Sequence, residues 1–465
     1  MPLPKPEAPG SRPTLSAIPM RIHLQTLGCR LNEAELETWA RDFHGLGHQI
    51  TAETEQADLL VVNTCAVTEE AVRKSRKLLR RAQRENPAAK LVVSGCYASL
   101  EGKQRSAELG VDLIVDNWDK DRLAEIVCRE FGPDTMPASA TEPDARPLLA
   151  RGRQRAFIKV QDGCRYRCTY CIVTLARGEE RSRPIAEIVH EVATLHVQGI
   201  QEVVLTGVHL GGYSGDQGAD LKGLVQAILA DTDLPRLRLG SVEPWDLPGD
   251  FWNLFDDPRL MPHLHLPLQS GSDAVLRRMA RRCRSADFER LIHQARAQVP
   301  NFNATTDIIV GFPGETETDW EATLELVERL EFGHLHIFAF SPRTGTKAAK
   351  LADPVPRAVQ RTRCEALQAL GQKMKRRALE SQLGRVLPVL VEGAGRGWAG
   401  YTPNFLRVQI EPETEAALEN RIVPVRLHGL VRSGEALSGR PVIGEDDHRR
   451  AVDVARCSSS RSLTR

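Results

Sequence analysis

No surplus of charge, no membrane-length apolar run and no secreted-type cysteine pattern marks this chain. Its 62 Lys and Arg against 61 Asp and Glu leave a formal charge of +1 over 465 residues. The whole chain therefore points to no polyanionic partner, and only local clustering could do so. No apolar stretch approaches the ~20 residues that cross a bilayer as a helix. The first 19 residues are rich in proline and lack the apolar core of a signal peptide. Ten cysteines in a chain of this length do not make a small disulfide scaffold. These absences predict a soluble cytoplasmic protein with no membrane partner. What is present, 41% hydrophobic and 26% charged residues, suits an ordinary globular chain of roughly three domains.

From Met20 the sequence alternates short apolar strands with amphipathic helices. Ile22–Leu27 precedes a helix from Asn32 to about Leu46, and Leu59–Asn63 precedes one from about Thr68 to Glu85. Leu91–Ser94 precedes a third helix, and Leu113–Val115 with a helix near Leu123–Arg129 closes the region. Such alternation predicts a doubly wound parallel α/β sheet over 20–132. Three of these strands run into a cysteine, at Cys29, Cys65 and Cys96. Open α/β sheets bind ligands beyond the carboxyl ends of their strands, so the three thiols would meet at one edge. Three separate buried thiols would give the same pattern, because free Cys is commonly buried.

Residues 133–149, with Pro133, Pro137, Pro143 and Pro147, read as a linker, and 1–19 and 444–465 as disordered tails. A second alternating region, 150–378, offers strands at Ala156–Val160, Glu202–Thr206, Leu237–Ser241, His263–Leu266, Thr305–Val310 and His334–Phe338. Six strand–helix units predict a partial (β/α)6 barrel of the TIM type. A long charged helix near Pro356–Gln382 leads to 379–443, whose short alternating runs predict a small antiparallel β-barrel of the oligonucleotide-binding (OB-like) kind.

Cys164-x3-Cys168-x2-Cys171 follows the first barrel strand. Three thiolates in one short loop can hold three irons of a 4Fe–4S cluster and leave the fourth iron open. A structural zinc site closes with four ligands, and the loop offers no fourth Cys or His at the usual spacing.

With Tyr170 before its last cysteine, this loop resembles the signature of radical S-adenosylmethionine enzymes. There the open iron is chelated by S-adenosylmethionine, whose reductive cleavage gives a 5′-deoxyadenosyl radical. Gly28-Cys29-Arg30-Leu31-Asn32, Asn63-Thr64-Cys65-Ala66-Val67-Thr68 and Ser94-Gly95-Cys96 resemble the amino-terminal domain of the methylthiotransferases. Leu266-Pro267-Leu268-Gln269-Ser270-Gly271-Ser272 and Asp307-Ile308-Ile309-Val310-Gly311-Phe312-Pro313-Gly314-Glu315 are similar to the same family. The resemblance spans about Arg21 to Val442, with the last segment similar to the RNA-binding TRAM module. It implies two 4Fe–4S clusters, one on Cys164, Cys168 and Cys171 and an auxiliary one on Cys29, Cys65 and Cys96 that carries the sulfur. It also implies a flavodoxin- or ferredoxin-like electron donor and a tRNA anticodon loop as substrate.

The stretches around Asn63, Leu205-Thr206-Gly207-Val208-His209 and Phe340-Ser341-Pro342-Arg343-Thr344 look most like the threonylcarbamoyladenosine branch. The isopentenyladenosine branch, a ribosomal-protein aspartate and a non-catalytic iron–sulfur RNA binder are the competing readings. Thr206-Gly207 stands where the family binds the S-adenosylmethionine amino group, although an ordinary glycine turn reads equally well. Glu243, beyond the third strand, is placed for a ribose or carboxylate contact at the barrel rim. Tyr170, Gln269 and Gly311 are further cofactor- or substrate-side candidates. His263-x-His265 and His334-x-His336 put paired imidazoles on one strand face and read as hydrogen-bonded rather than metal-binding. Cys128, Cys283, Cys364 and Cys457 have no partners in sequence and read as bystanders.

Three basic clusters supply the nucleic-acid argument. Arg73, Lys74, Arg76 and Lys77 lead a helix that continues with Arg80, Arg81 and Arg84. Arg277, Arg278, Arg281, Arg282 and Arg284 form a second cluster, and Lys373, Lys375, Arg376 and Arg377 a third. Like charges at helical spacing repel, and phosphate would neutralise them; solvated helix faces are the plainer reading. Trp398, Tyr401 and Phe405 beside Arg396 and Arg407 suit base stacking, or core packing.

Overall fold

The computed structural model describes residues 19–102, 109–131, 154–393, 397–411 and 418–442. In the first region, strands β1 (Arg21–Thr26), β2 (Gln49–Ile50), β3 (Leu59–Thr64), β4 (Lys90–Gly95) and β5 (Leu113–Val115) form a parallel sheet in the order β2-β1-β3-β4-β5. Alternation explains why both faces are covered. Leu59, Val61 and Val92 pack with Leu36, Trp39 and Phe43 of α1 (Arg30–Gly45) and with Leu123 and Val127 of α3 (Leu123–Phe131). Leu60, Val62, Leu91 and Val93 face the other way, onto Val72, Leu79 and Ala82 of α2 (Glu69–Glu85). Helices thus lie on both faces of the sheet. Thr68 caps α2 by accepting a hydrogen bond from the Ala71 amide at 3.1 Å. The helix expected after Cys96 is, among the described residues, a single π turn at Ala98–Gly102.

The second region carries the expected six strands. β6 (Arg155–Lys159), β9 (Glu202–Thr206) and β10 (Arg236–Leu239) pair in parallel, as do β11 (His263–His265), β12 (Asn303–Val310) and β13 (His334–Ala339). A short hairpin, β7 (Gln161–Asp162) with β8 (Arg181–Ser182), carries the cysteine loop between its arms. The two halves meet through bridges Leu237↔Leu260 and Ser241↔His265, giving one curved wall. Outward residues such as Ile158, Val203, Leu205 and Leu237 bury against α5 (Ile185–Val197) and α6 (Leu221–Asp231). The wall is open between β6 and β13. On the β6 side α1 crosses the opening, with Ala34 packed on Phe157 and Val204 and Glu37 accepting the Phe157 amide at 3.1 Å. On the β13 side α7 (Arg357–Glu380) lies along the strand, its Leu367 and Met374 in one buried cluster with Leu335.

The last region is a closed five-strand barrel, ordered β14 (Val386–Glu392), β15 (Trp398–Tyr401), β16 (Arg407–Ile410), β18 (Leu437–Pro441), β17 (Ile422–Leu430). It departs from the all-antiparallel expectation at one pair: β16 runs parallel to β18. Closing an odd number of alternating strands forces one such pair. The aromatic residues also depart from a base-stacking role. Tyr401 and Phe405 stack on each other at 4.8 Å, and the Phe405 ring lies 4.8 Å from His263 at the barrel floor. Trp398 is half-buried on its own barrel's core. Residues 1–18, the whole 133–149 linker, 444–465, Arg396 and Cys457 lie outside the described residues.

Candidate active site

The first cysteine triplet is assembled by register. β1, β3 and β4 are neighbours, with Thr26 level with Asn63 and Thr64 level with Gly95, so Cys29, Cys65 and Cys96 leave one carboxyl edge of the sheet. Gly28 makes the approach possible: at φ +119°, an added Cβ would stand 2.8 Å from the Cβ of Cys65 and 3.0 Å from its Sγ. Cys65 is pinned in turn by Ser75, which accepts its amide at 3.1 Å and donates to its carbonyl at 2.9 Å. Cys65 and Cys96 are buried and Cys29 is exposed at the rim. Burial pushes the Cys65 thiol up to about 11.

The second triplet sits in the loop after β6. Gly163 turns that loop at φ +73°, where an added Cβ would strike the Glu179 carbonyl, and the Cys171 amide closes onto the Cys168 carbonyl at 3.0 Å. The three thiols lie within electrostatic range of one another, and burial pushes Cys164 up to about 12 and Cys171 to about 11. Buried thiols with raised pKa stay protonated unless a metal replaces the proton, and softness makes thiolates good iron ligands. Beside Cys168 lie Arg281 and Glu243, joined at 2.9 Å, with Trp245 Nε1 and Arg281 Nε lacking hydrogen-bond partners among the described residues. Both donor sets fit iron–sulfur clusters, and among the described residues neither triplet brings a fourth protein thiol with it.

The Cys164 loop is braced by residues the sequence reading overlooked. Buried His209 stands between two carboxylates, Glu180 at 2.5 Å and Asp246 at 2.6 Å, and Asp246 also accepts the Tyr166 hydroxyl at 2.9 Å. Burial opposes charge on His209, but the two acids outweigh it and raise its pKa. Cys164, Glu180 and His209 bring ligand atoms within 4.8 Å of one another. A lone His after a strand gives no sign of such a clamp, because its partners are 29 and 37 residues away.

Arg177, six residues beyond Cys171 on α4 (Val173–Arg177), is the second omission. Fully buried, it donates to Asn32 Oδ1 at 2.8 Å, Glu35 at 2.8 Å and Asp162 at 3.1 Å. Lys120 is buried in the same network, with Asp162 at 3.2 Å and an ion pair to Glu35. Cys29, Cys65 and Cys96 all lie within electrostatic range of the Arg177 guanidinium. A residue of one cysteine loop thereby reaches the other triplet.

The remaining candidates divide. Tyr170 is partly buried, packed against Val275, Met279 and Phe312. Thr206 ends β9, and Gly207 faces Gln161, whose Oε1 would stand 3.0 Å from an added Cβ and whose amide braces Gly163 at 2.8 Å. Gln269, at φ 75°, bridges β12 through its backbone, and its side chain makes no hydrogen bond among the described residues. Gly311 is shut against Gln360, which would stand 2.4 Å from an added Cβ, so it presents no open face there. His265 contacts Thr305 at 3.0 Å and Asp307 at 3.2 Å, as a hydrogen-bonded histidine should, while its ligand atoms and those of Asp307 and His336 also cluster within 4.8 Å.

The basic clusters fare unequally. On α2, Arg73, Lys74 and Lys77 are exposed, Lys74 beside Glu70 at 2.7 Å, whereas Arg76 is held by Glu101 at 2.6 Å and Tyr97 at 3.2 Å. In the second cluster the Arg281 side chain is buried beside Cys168 and Arg278 pairs with Asp319. The third is neutralised by nearby acids: Arg376 by Glu380 one turn on along its own helix, and Lys373 by Glu328, Lys375 by Glu435 and Arg377 by Glu331 from elsewhere in the fold. Spacing along one helix cannot reveal partners on another.

A partial barrel bearing a three-cysteine loop after its first strand defines a radical S-adenosylmethionine protein, and residues 158–327 match the Radical SAM superfamily model. Residues 21–116 match the model described as Uncharacterized protein family UPF0004. The threonylcarbamoyladenosine tRNA methylthiotransferase MtaB of Thermotoga maritima is 37% identical, over 80% of this chain and 86% of its own. The tRNA-2-methylthio-N(6)-dimethylallyladenosine synthase of Anaeromyxobacter dehalogenans is also 37% identical, over 94% and 97%. Among solved structures, the radical S-adenosylmethionine methyltransferase TsrM of Kitasatospora setae shares the fold, with a TM-score of 0.51 at 17% identity over 68% of this chain and 73% of that one. The chain belongs to the radical S-adenosylmethionine methylthiotransferase family, whose cofactors are S-adenosylmethionine and 4Fe–4S clusters.

Proposed function

We propose that the protein adds a methylthio group to C2 of N6-threonylcarbamoyladenosine beside the anticodon of tRNA. The observation that carries this reading is Arg177. It bonds the helix that follows the loop of Cys164, Cys168 and Cys171 to the helix that starts after Cys29, so one buried network braces both triplets. When bound, a cluster on Cys164, Cys168 and Cys171 with S-adenosylmethionine supplies a carbon radical, and a cluster on Cys29, Cys65 and Cys96 supplies the sulfur.

The chain's own residues bind, orient and exclude water. Tyr170, Phe312 and Met279 pack together behind the cysteine loop and keep solvent out. Thr206, Gly207 and Glu243 are the contacts for S-adenosylmethionine, with Arg281 fixing the Glu243 carboxylate. Gln269 serves the substrate side. The exposed cations of α2, Arg73, Lys74 and Lys77, receive the phosphates around the loop nucleotide. The electron comes from a flavodoxin- or ferredoxin-like donor.

Nucleoside mass spectrometry of tRNA from a deletion strain tests the reading. Loss of 2-methylthio-threonylcarbamoyladenosine, with its unmethylthiolated precursor accumulating, is the expected result. Loss of the 2-methylthio-isopentenyl nucleoside instead would move the assignment to the other branch, whose relative is equally identical.

A further inference from the structure

The barrel's inward face is unusually cationic at its floor. Arg155, Glu202 and Arg236 stand level across β6, β9 and β10, with Arg238 one inward position further on. Glu202 accepts Arg238 at 2.9 Å and has Arg236 at 3.6 Å, and Glu392 pairs with Arg155 at 2.8 Å. Arg30, from α1, brings a fourth guanidinium, 5.8 Å from the Phe157 ring centre and 5.3 Å from that of Phe405. Phe405 thereby has Arg30, Arg155, Arg238 and His263 around it. Four guanidinium groups share two carboxylates within this floor. Glu33, on the same helix, is also in electrostatic range of Arg30.

Arg30 differs from the other three. They are ion-paired and hydrogen-bonded to the C-terminal barrel or to Glu202, Arg236 for instance to the Tyr401 carbonyl at 3.1 Å. Arg30 is exposed and makes no hydrogen bond or ion pair among the described residues, only the two ring contacts. Aromatic faces hold a guanidinium in place without using its N–H donors. It is a prepositioned cation with its donors free.

Its position matters because it follows Cys29 directly. On adenine, C2 and C6 flank N1, so the atom that receives sulfur and the substituent on N6 lie along one edge of the ring. Arg30 is thus adjacent in the chain to a ligand of the sulfur-carrying cluster, and a substituent on N6 extends along the same edge of the ring that receives the sulfur. A threonyl carboxylate, like an α-carboxyl group, is ionised at neutral pH. A planar guanidinium can receive it with two parallel hydrogen bonds. An isopentenyl group would instead be pressed against a cation it cannot pair.

Resting on the reading above, we propose that Arg30 binds the carboxylate of the substrate's N6-threonylcarbamoyl group and selects an anionic over an apolar N6 substituent. The test uses the full chain with its clusters loaded and measures equilibrium binding of anticodon stem–loops. These carry threonylcarbamoyladenosine, its methyl ester, isopentenyladenosine or plain adenosine. Wild type should bind the acid about tenfold more tightly than the ester, as for a partly exposed charge pair. R30Q should erase that preference without changing affinity for plain adenosine, and R30K should retain part of it. A preserved acid-over-ester preference in R30Q overturns the role of Arg30. Should R30Q fail to load its clusters, the wild-type comparison decides: equal affinity for acid and ester overturns the proposal. A wild-type preference for isopentenyladenosine overturns instead the substrate reading on which it rests.

Discussion

Arg177 donates to Glu35 at 2.8 Å, and together with its bond to Asn32 this contact joins the cysteine loop of the barrel to the helix that follows Cys29. Both groups are buried, and burial alone would raise the pKa of Glu35. Arg177 and Lys120 outweigh burial and hold it below the usual carboxylate range. Without Arg177, Lys120 alone is left to balance the buried Glu35 and Asp162 carboxylates, and such a broken buried network costs up to about 3–5 kcal/mol. R177M should therefore lower the stability of the cluster-free protein by about that amount in urea unfolding, and R177M/E35L should recover part of it. A loss of under about 0.5 kcal/mol, ordinary for a surface site, would show that the network does not hold the two regions together.

Changing Cys164, Cys168 and Cys171 together to Ala should remove half the iron of anaerobically reconstituted protein and abolish S-adenosylmethionine cleavage. Changing Cys29, Cys65 and Cys96 should remove the other half and leave some cleavage. Iron analysis with electron paramagnetic resonance distinguishes the two. Zinc in place of iron in anaerobic wild type would contradict both assignments.

Glu202 predicts an acid-labile floor. Burial pushes its pKa up, but Arg238, Arg155 and Arg236 outweigh burial and hold it at about 2, against an ordinary 4.5. A depressed carboxylate contributes stability that is present above its unfolded pKa and is lost as pH falls through the folded one. The contribution, on the order of 3 kcal/mol, should thus disappear between about pH 4.5 and 2. E202Q should be less stable than wild type at pH 7, and the difference should shrink across that window. Parallel stability–pH curves for the two proteins would contradict the assignment.

Among the cations of α2, the structure separates Arg73 and Lys77 from Arg76, which Glu101 and Tyr97 already hold. R73Q/K77Q should weaken tRNA binding and reduce the slope of log affinity against log salt by about 1.5. S-adenosylmethionine cleavage without tRNA should be unchanged. An unaltered slope would place the RNA elsewhere.

What was legible in the sequence was whatever local periodicity or spacing encodes. Glu202–Thr206 and Ile185–Val197 form a strand and a helix with the bounds their patterns predict, and the cysteines at strand ends meet because adjacent parallel strands share one edge. What stayed hidden depends on partners far along the chain. Arg281 reads as one of a basic run, yet it folds inward to Glu243, and Phe405 reads as a base-stacking ring, yet it packs on His263 of the barrel floor. Arg177 reads as an unremarked helix end, because Asn32 and Glu35 lie more than 140 residues before it. Local pattern carries no information on such pairings.

The most direct measurement of the central claim is made on the purified, reconstituted protein. Given S-adenosylmethionine, a reductant and tRNA bearing threonylcarbamoyladenosine, digestion and mass spectrometry should show that nucleoside converted to its 2-methylthio form. Wild type should make it, and neither triple-cysteine variant should. Conversion only of tRNA bearing isopentenyladenosine, or product formed without Cys29, Cys65 and Cys96, would contradict the account.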